Sequence, residues 1–512
     1  MTDEDVATLL DSDESLVTVE APAGCGKTYQ GARFARRWSE RSPRGRALIL
    51  THTHSACAEF AKETKANASK VEIRTIDSLI VHAATIYHKS LDLPPDPARW
   101  ARANGETGFQ QLGARVAHLL KAKPLISRAL SDRYPVVIAD EHQDSSADQH
   151  EIVMQLHAAG ARLRIFGDPM QRIYGSKKKA EIRQERERWE GLKSAGAFAE
   201  LTYPHRWDRD SPELGAWILK ARASLRDGQE IDLTGVLPAG LEVLLADNMA
   251  QRRSGYALQS ADRKPIDKII NATDTIFVLS ARNETVKELR GFWNRRIPIW
   301  EGHVREPLGR FVTDIGQRSG DPVAVSEASL AFIQDVCVGF SASSHGDRFA
   351  HEVASGCRKS STGKPALIQQ LARCIIDNPT HVGVAACLDR LAEFVASKTS
   401  GFDAVHIDHR REFWDAVRLG DFADPEEGLA ELHRRRSFAR PLPPRKSIST
   451  IHKAKGLECD HALVIPCDKT HFSSTDYSRC RLYVALSRAR RRLTLVVSRA
   501  SPSPLFKIAE NG

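Results

Sequence analysis

The feature that most restricts this chain is a short loop, Ala21-Pro22-Ala23-Gly24-Cys25-Gly26-Lys27-Thr28. It lies between an apolar, β-branched run at 17–21 and the helix-patterned run YQGARFARRW from Tyr29. Backbone N–H groups can wrap a phosphate chain only where no side chain blocks their approach, and a following helix adds the positive end of its dipole. Ala21 stands where such loops usually open with glycine, and it is small enough to leave room. The spacing predicts Lys27 at the β and γ phosphates and Thr28 at a magnesium ion. Strand, loop and helix in that order require a parallel sheet with ligands at the carboxyl ends of its strands.

The rest of the chain supplies the sheet. Short apolar runs followed by helical patterns recur as ALILT at 47–51, PVVIAD at 135–140 and LRIFGD at 163–168, and again as TIFVLS at 275–280, HALVIP at 461–466 and LTLVVS at 493–498. Strands apolar on both faces and alternating with helices predict parallel sheets covered on both sides. The two series predict two such α/β domains. Between the later groups lie about 150 residues of helical character, rich in Arg, His and Ala, which read as an insertion leaving through the stiff RPLPPRK at 440–446. A length of 512 residues suits several domains.

Composition narrows the function classes. Apolar runs of about five residues are far below the roughly 20 that span a membrane, and the acidic start MTDEDVATLLDSDESL has neither the basic nor the apolar part of a secretory leader. A cytoplasmic address without membrane contact is expected. Nine cysteines without a close pair argue against a disulfide frame, and with His52 and His54 alternating at a strand exit they argue against structural zinc. The net charge of +9 permits nucleic-acid partners without requiring them. Basic runs at Lys177, Lys178, Lys179, at Arg434, Arg435, Arg436 and at Arg490, Arg491, Arg492 suit solvated faces as well as a polyanion. Cys25, at a helix start, is a candidate low-pKa thiol as well as a small loop residue, and Trp293 and Trp300 read as core.

Hydrolysis needs an acidic strand end beside the phosphate loop. Val136 to Asp144, in VVIADEHQD, delivers Asp140 for the magnesium shell and Glu141 to polarise a water. Asp-Glu-His-Gln-Asp resembles the second motif of superfamily 1A helicases, the UvrD, Rep and PcrA family, and the loop around Lys27 resembles theirs. Further motifs of that family have similar stretches in the same order. They are Thr51 to Ala56, Thr75 to Leu79, Phe166 to Tyr174, Leu201 to Arg206, Thr450 to Glu458 and Leu482 to Ala489.

The resemblance implies two RecA-like domains sharing one ATP site, with Mg2+ on Thr28 and Asp140. It implies catalytic roles for Lys27, Asp140, Glu141, Gln171, Arg206 and Arg488, Gln171 and the two arginines reaching the γ-phosphate. The nucleotide would be held by Ala23, Gly24, Cys25, Gly26, Lys27, Thr28 and Tyr29, by His205 in stacking position, and by Gly456 and Glu458. Single-stranded DNA would run along Thr51, His52, Thr75, Tyr174, Thr450 and His452. The implied division is 1–79, 126–204 for the first domain with a small helical insert at 80–125, and 205–299, 446–512 for the second with a helical insert at 300–445.

Three positions depart from the family pattern. No glutamine precedes Gln30, so the base-reading residue is replaced near Asp5 or Val6; His205 stands where a tyrosine usually stacks; and Ser176 replaces a base-stacking aromatic. Stacking is worth roughly 1–3 kcal/mol per base. The expected activity is ATP-driven 3′ to 5′ movement on single-stranded DNA with unwinding of tailed duplexes, in repair or recombination. The alternative is a DNA-stimulated ATPase subunit of a defence or repair complex. The chain ends soon after its last strand, so any nuclease is expected to be a separate protein.

Overall fold

The computed structural model describes residues 1–42, 44–174, 179–250, 255–300, 306–408, 410–438 and 443–508. Ser176, Lys177 and Lys178 lie outside the described residues, as does part of the 440–446 linker. The chain forms two compact units, Met1–Gly302 with Leu442–Gly512, and His303–Pro441.

Among the described residues, the first unit holds two large parallel sheets and one two-stranded parallel pair. One is built from β1 (Leu16–Glu20), β2 (Ala47–Thr51), β3 (Val71–Thr75), β4 (Val136–Ala139), β5 (Arg162–Gly167) and β6 (Ala197–Glu200), in the order β3-β2-β4-β5-β1-β6. The later strands are β7 (Ile231–Asp232), β8 (Leu241–Leu245), β9 (Ile276–Ser280), β10 (Cys337–Val338), β11 (His406–Ile407), β12 (Lys446–Thr450), β13 (Cys459–Cys467), β14 (Ala489–Val497) and β15 (Phe506–Lys507). Of these, five form the second sheet in the order β12-β9-β13-β14-β8, every pair parallel. β1, β2, β4 and β9 are buried along their whole length, as apolar runs on both faces require.

Parallel pairing brings the motifs together. Glu20 pairs in register with both Gly167 and Glu200, Leu50 with Ala139, and Thr51 with Thr75, so the chemistry-bearing residues leave the sheet along one edge. β5 also carries Arg164, buried in mid-strand. Its guanidinium donates to the carbonyls of Leu10, Ser12 and Glu14, which fixes the end of the N-terminal helix Asp3–Asp11. Residues 80–125 are helical and add Leu112, Val116 and Leu120 to the core that contains Leu48 and Leu163 of the first sheet.

Among the described residues, the regular structure of the second unit is helical apart from the two-residue antiparallel pair β10–β11. Its core is apolar, with Phe311, Phe332, Phe349, Phe402 and Phe413 among its fully enclosed side chains. Trp293 and Trp300 are buried in the first unit. No described helix is long and apolar enough to cross a membrane.

Candidate nucleotide site

The phosphate loop leaves β1 and enters the helix Lys27–Arg41 through two glycines in the left-handed region, Gly24 at φ 75° and Gly26 at φ 82°. Both face the stretch after β6. A Cβ on Gly24 would lie 2.7 Å from Arg206 Cβ and 2.8 Å from Trp207, and one on Gly26 would lie 3.2 Å from the His205 ring. Glycine is needed here for conformation and for this close cover. The Arg206 N–H donates to the Gly24 carbonyl at 3.1 Å, and the Ala23 N–H to Tyr483 Oη at 2.9 Å, so two residues of the second half hold the loop.

Lys27 Nζ lies 3.2 Å from Asp140 Oδ1 and also pairs with Glu141. Burial works against the lysine charge, yet the two carboxylates outweigh it and raise its pKa. Burial likewise pushes Glu141 up, but Lys27 and Lys455 overcome it and hold the carboxyl well below the usual range. Asp140 moves the other way, pushed up by burial beside an already charged Glu141. Glu141 sits at φ 53°, a left-handed backbone that costs on the order of 1 kcal/mol outside glycine. Gln143 Nε2 steadies it with a 2.5 Å bond to Oε2.

Thr28 and Asp140 supply one hydroxyl and one carboxylate, a hard oxygen set that suits Mg2+ shared with phosphate oxygens and water. Asp140 Oδ1 is buried, with Lys27 Nζ at 3.2 Å as its partner, a place a metal ion could share once phosphate draws the lysine away. Tyr29 is 54% exposed beside the loop. His205 meets Tyr203 edge-on at 4.7 Å and lies 2.5 Å from Asp3 Oδ2, so the capped start of the N-terminal helix stands close to the stacking position.

Gln171 donates to Asp168 Oδ2 at 2.9 Å. Arg206 binds the Ser487 carbonyl at 2.6 Å and Glu458 Oε1 at 2.5 Å. Arg488 is buried, and its guanidinium donates to Val484 O, Leu457 O and Ser487 Oγ. Burial, helped by Arg206, lowers its pKa to about 10. Gly456, at φ 79°, turns the chain between Lys455 and Glu458. The arginines therefore stand on the second-sheet side and the lysine and carboxylates on the first.

The candidate DNA residues fall into two groups. Thr51, Thr75 and Thr450 are buried. The hydroxyls of Thr75 and Thr450 cap the helices Ile76–Ile86 and Ile451–Ala454, and that of Thr51 donates to the Thr53 carbonyl. His52 binds Ser145 Oγ at 3.1 Å, and burial lowers its pKa to about 4. Tyr174 is 46% exposed; its hydroxyl donates to the His452 carbonyl at 2.8 Å, and Lys455 Nζ lies 5.0 Å over its ring. His452 Nε2 is 2.6 Å from Tyr477 Oη.

The structure corrects the expectation for Cys25. The helix start would lower its pKa, but the thiol is enclosed, and burial followed by Asp168 raises it to about 12. It is a small loop residue. Three residues that the sequence did not single out by role join the site. Lys455 pairs with Asp144 and donates to the Gln171 carbonyl at 2.8 Å, so one cation ties both sheets. Tyr483 reaches the phosphate loop. Arg222, in the helix Pro212–Arg226, binds Asp168 at 2.9 Å and Glu20 at 2.5 Å. The signal for Arg222 was present: it occupies the same helical face as Ile218, Ala221 and Leu225, where a charge must find buried partners.

A glycine-bearing loop after β1, an acidic pair after β4 and arginines from the second sheet make a candidate two-sheet nucleotide site. Two family models match parts of the chain. The model for the UvrD/REP helicase N-terminal domain matches residues 98–184, and that for the UvrD-like helicase C-terminal domain matches 447–496. The chain is 33% identical over 81 residues to the RecBCD enzyme subunit RecB of Escherichia coli (strain K12), a stretch that is 15% of this chain and 7% of that protein. The crystal structure of Pif1 helicase from Candida albicans is similar with a TM-score of 0.39 and 11% identity, over 96% of this chain and 93% of that one. Two separate stretches of the chain, 98–184 and 447–496, are thus similar to UvrD-like helicase domains.

Proposed function

We propose that this protein is an ATP-dependent DNA helicase that moves along single-stranded DNA from 3′ to 5′ and unwinds tailed duplexes in repair or recombination. The two sheets act as RecA-like halves, with inserts at 80–125 and 300–445. The observation that carries the reading is the division of charge across one cleft: Lys27, Asp140, Glu141 and Gln171 on one side, Arg206 and Arg488 on the other. A triphosphate entering the loop competes with Asp140 and Glu141 for Lys27 and releases Glu141 to accept a proton from the attacking water. Bound magnesium would neutralise phosphate charge and orient its oxygens. Arg206 leaves Glu458 for the phosphate and draws the second sheet inward. Loss of that charge on hydrolysis lets the halves relax, and a DNA strand held at Tyr174 and His452 is thereby stepped.

A second reading is an accessory ATPase working beside a separate nuclease. The likeness to RecB, by its name a subunit of a larger enzyme, favours it. The two readings part on turnover. ATP hydrolysis is measured with and without single-stranded DNA, and unwinding is followed on duplexes with 3′ or 5′ tails. Stimulation with unwinding of the 3′-tailed duplex supports the helicase; stimulation without unwinding supports the accessory; no stimulation by any nucleic acid sinks both.

A further inference from the structure

The helix Pro212–Arg226 packs its apolar face, through Leu214, Ile218, Ala221 and Leu225, into the core built around the second sheet. Other side chains of that helix reach the first half: Leu219 packs on its core, Arg226 lies 3.8 Å from Glu200 Oε1, and Arg222 enters it most deeply. Arg222 is 4% exposed at its side chain, and its guanidinium lies among the carboxylates at three strand ends of the first half. Nη2 binds Glu20 Oε1, after β1, at 2.5 Å and Asp168 Oδ1, after β5, at 2.9 Å; Nη1 binds Glu200 Oε1, at the end of β6, at 3.1 Å. The other Glu20 oxygen accepts from Trp189 Nε1 at 3.3 Å.

Asp168 is the branch point of the bonds that reach the reacting groups. Its Oδ2 accepts from Gln171 Nε2 at 2.9 Å, and its backbone N–H donates to Gln143 Oε1 at 3.0 Å. The same Gln143 holds Glu141 Oε2 through Nε2 at 2.5 Å. Two bonded paths therefore run from residue 168, one to the γ-phosphate contact and one to the water-polarising carboxylate. A planar guanidinium presents donors in a fixed fork, so it can hold two carboxylates in one relative geometry where an ammonium cannot.

We propose that Arg222 is a positioning residue: carried by the second half, it sets Asp168 and through it both Gln171 and Glu141, so that the packing of one sheet against the other is felt at the reacting atoms. The inference rests on the ATPase reading above. Glu20, Glu200 and Trp189 then serve to hold the guanidinium, and the network stands apart from the phosphates themselves. Misplacing a reacting group by about 1 Å can cost about 10²-fold in rate.

The test uses the full chain. Steady-state ATP hydrolysis with single-stranded DNA is measured for wild type, Arg222→Lys, Gln171→Ala and the double variant. Thermal unfolding and titration with a fluorescent ATP analogue are run beside it. Arg222→Met paired with Glu20→Gln lowers the uncompensated charge and serves as a second probe should Arg222→Lys fold poorly. The expected result is a kcat lowered about 10- to 100-fold with KM and analogue binding within about twofold. The double variant should lose clearly less than the product of the two single losses, because both changes disturb the path through Gln171 while only Arg222→Lys disturbs the path through Glu141. A folded Arg222 variant with wild-type kcat, or losses that multiply in the double variant, overturns the inference while wild-type turnover leaves the ATPase reading intact. Absence of turnover in wild type overturns both.

Discussion

β3 and β12 are each one of two edge strands in their sheets, and they end alike. Each closes on a threonine, Thr75 or Thr450, whose hydroxyl caps the helix that follows an isoleucine later. The remaining strand ends differ. In the first sheet they carry Glu20, Asp140, Asp168 and Glu200; in the second, β9 ends on Ser280, and the cations of the site arrive on loops and helices as Lys455, Arg206 and Arg488. Two sheets of one topology class thus divide acid from base. Like charges gathered along one edge would repel, whereas opposite charges across a cleft give both halves a reason to close, and only a polyanion competes for the cations.

If that division governs turnover, its two sides should fail differently. Arg206→Ala should lower kcat by about 10³-fold or more, the scale of a lost arginine finger, with nucleotide still bound. Glu141→Gln should lower kcat by about 10²- to 10⁴-fold and leave binding intact, whereas Lys27→Ala should lose binding itself. Rapid-quench kinetics beside equilibrium titration separates these outcomes, and normal turnover in Glu141→Gln would refute the site assignment.

A smaller effect concerns the tie between the sheets. Lys455→Met strands Asp144, which is 5% exposed at its side chain, and breaking a buried pair costs about 3–5 kcal/mol. Asp144→Asn added to Lys455→Met should recover much of the thermal stability. Failure to recover it would mean that Lys455 acts through Gln171 and Tyr174 instead.

The smallest effect lies away from the cleft. Burial pushes Glu72 up, but the Arg74 bond at 2.6 Å, Tyr134 and nearby Arg133 bring its pKa down to about 2. A carboxyl depressed on folding stabilises above its unfolded value and loses that contribution as pH falls from about 4.5 towards 2. Glu72→Gln should lower stability by about 1 kcal/mol or less at pH 7, and the difference should vanish near pH 2. A gap that persists in acid would assign the effect to packing.

The loop around Lys27 and the Asp140-Glu141 pair were legible because each sits directly after an apolar strand, and parallel pairing sends every strand end to one edge. Arg206, Arg488 and Gln171 were legible only through resemblance, since an isolated arginine or glutamine has no local pattern that separates a phosphate contact from a salt bridge. Cys25 shows the limit of local reasoning, because the helix dipole was visible in the sequence and the burial that overrides it was not.

What the sequence determined by itself is therefore local and periodic: the strands, the loop around Lys27, and the helical character of the region between the later strands. Tertiary structure alone decided which buried charges meet. Lys455 is 311 residues from Asp144, and Arg222 is 202 from Glu20, separations at which no spacing rule operates. Such contacts depend on sheet order and on how two separate cores pack, and only there does a helix of one half come to hold the acids of the other.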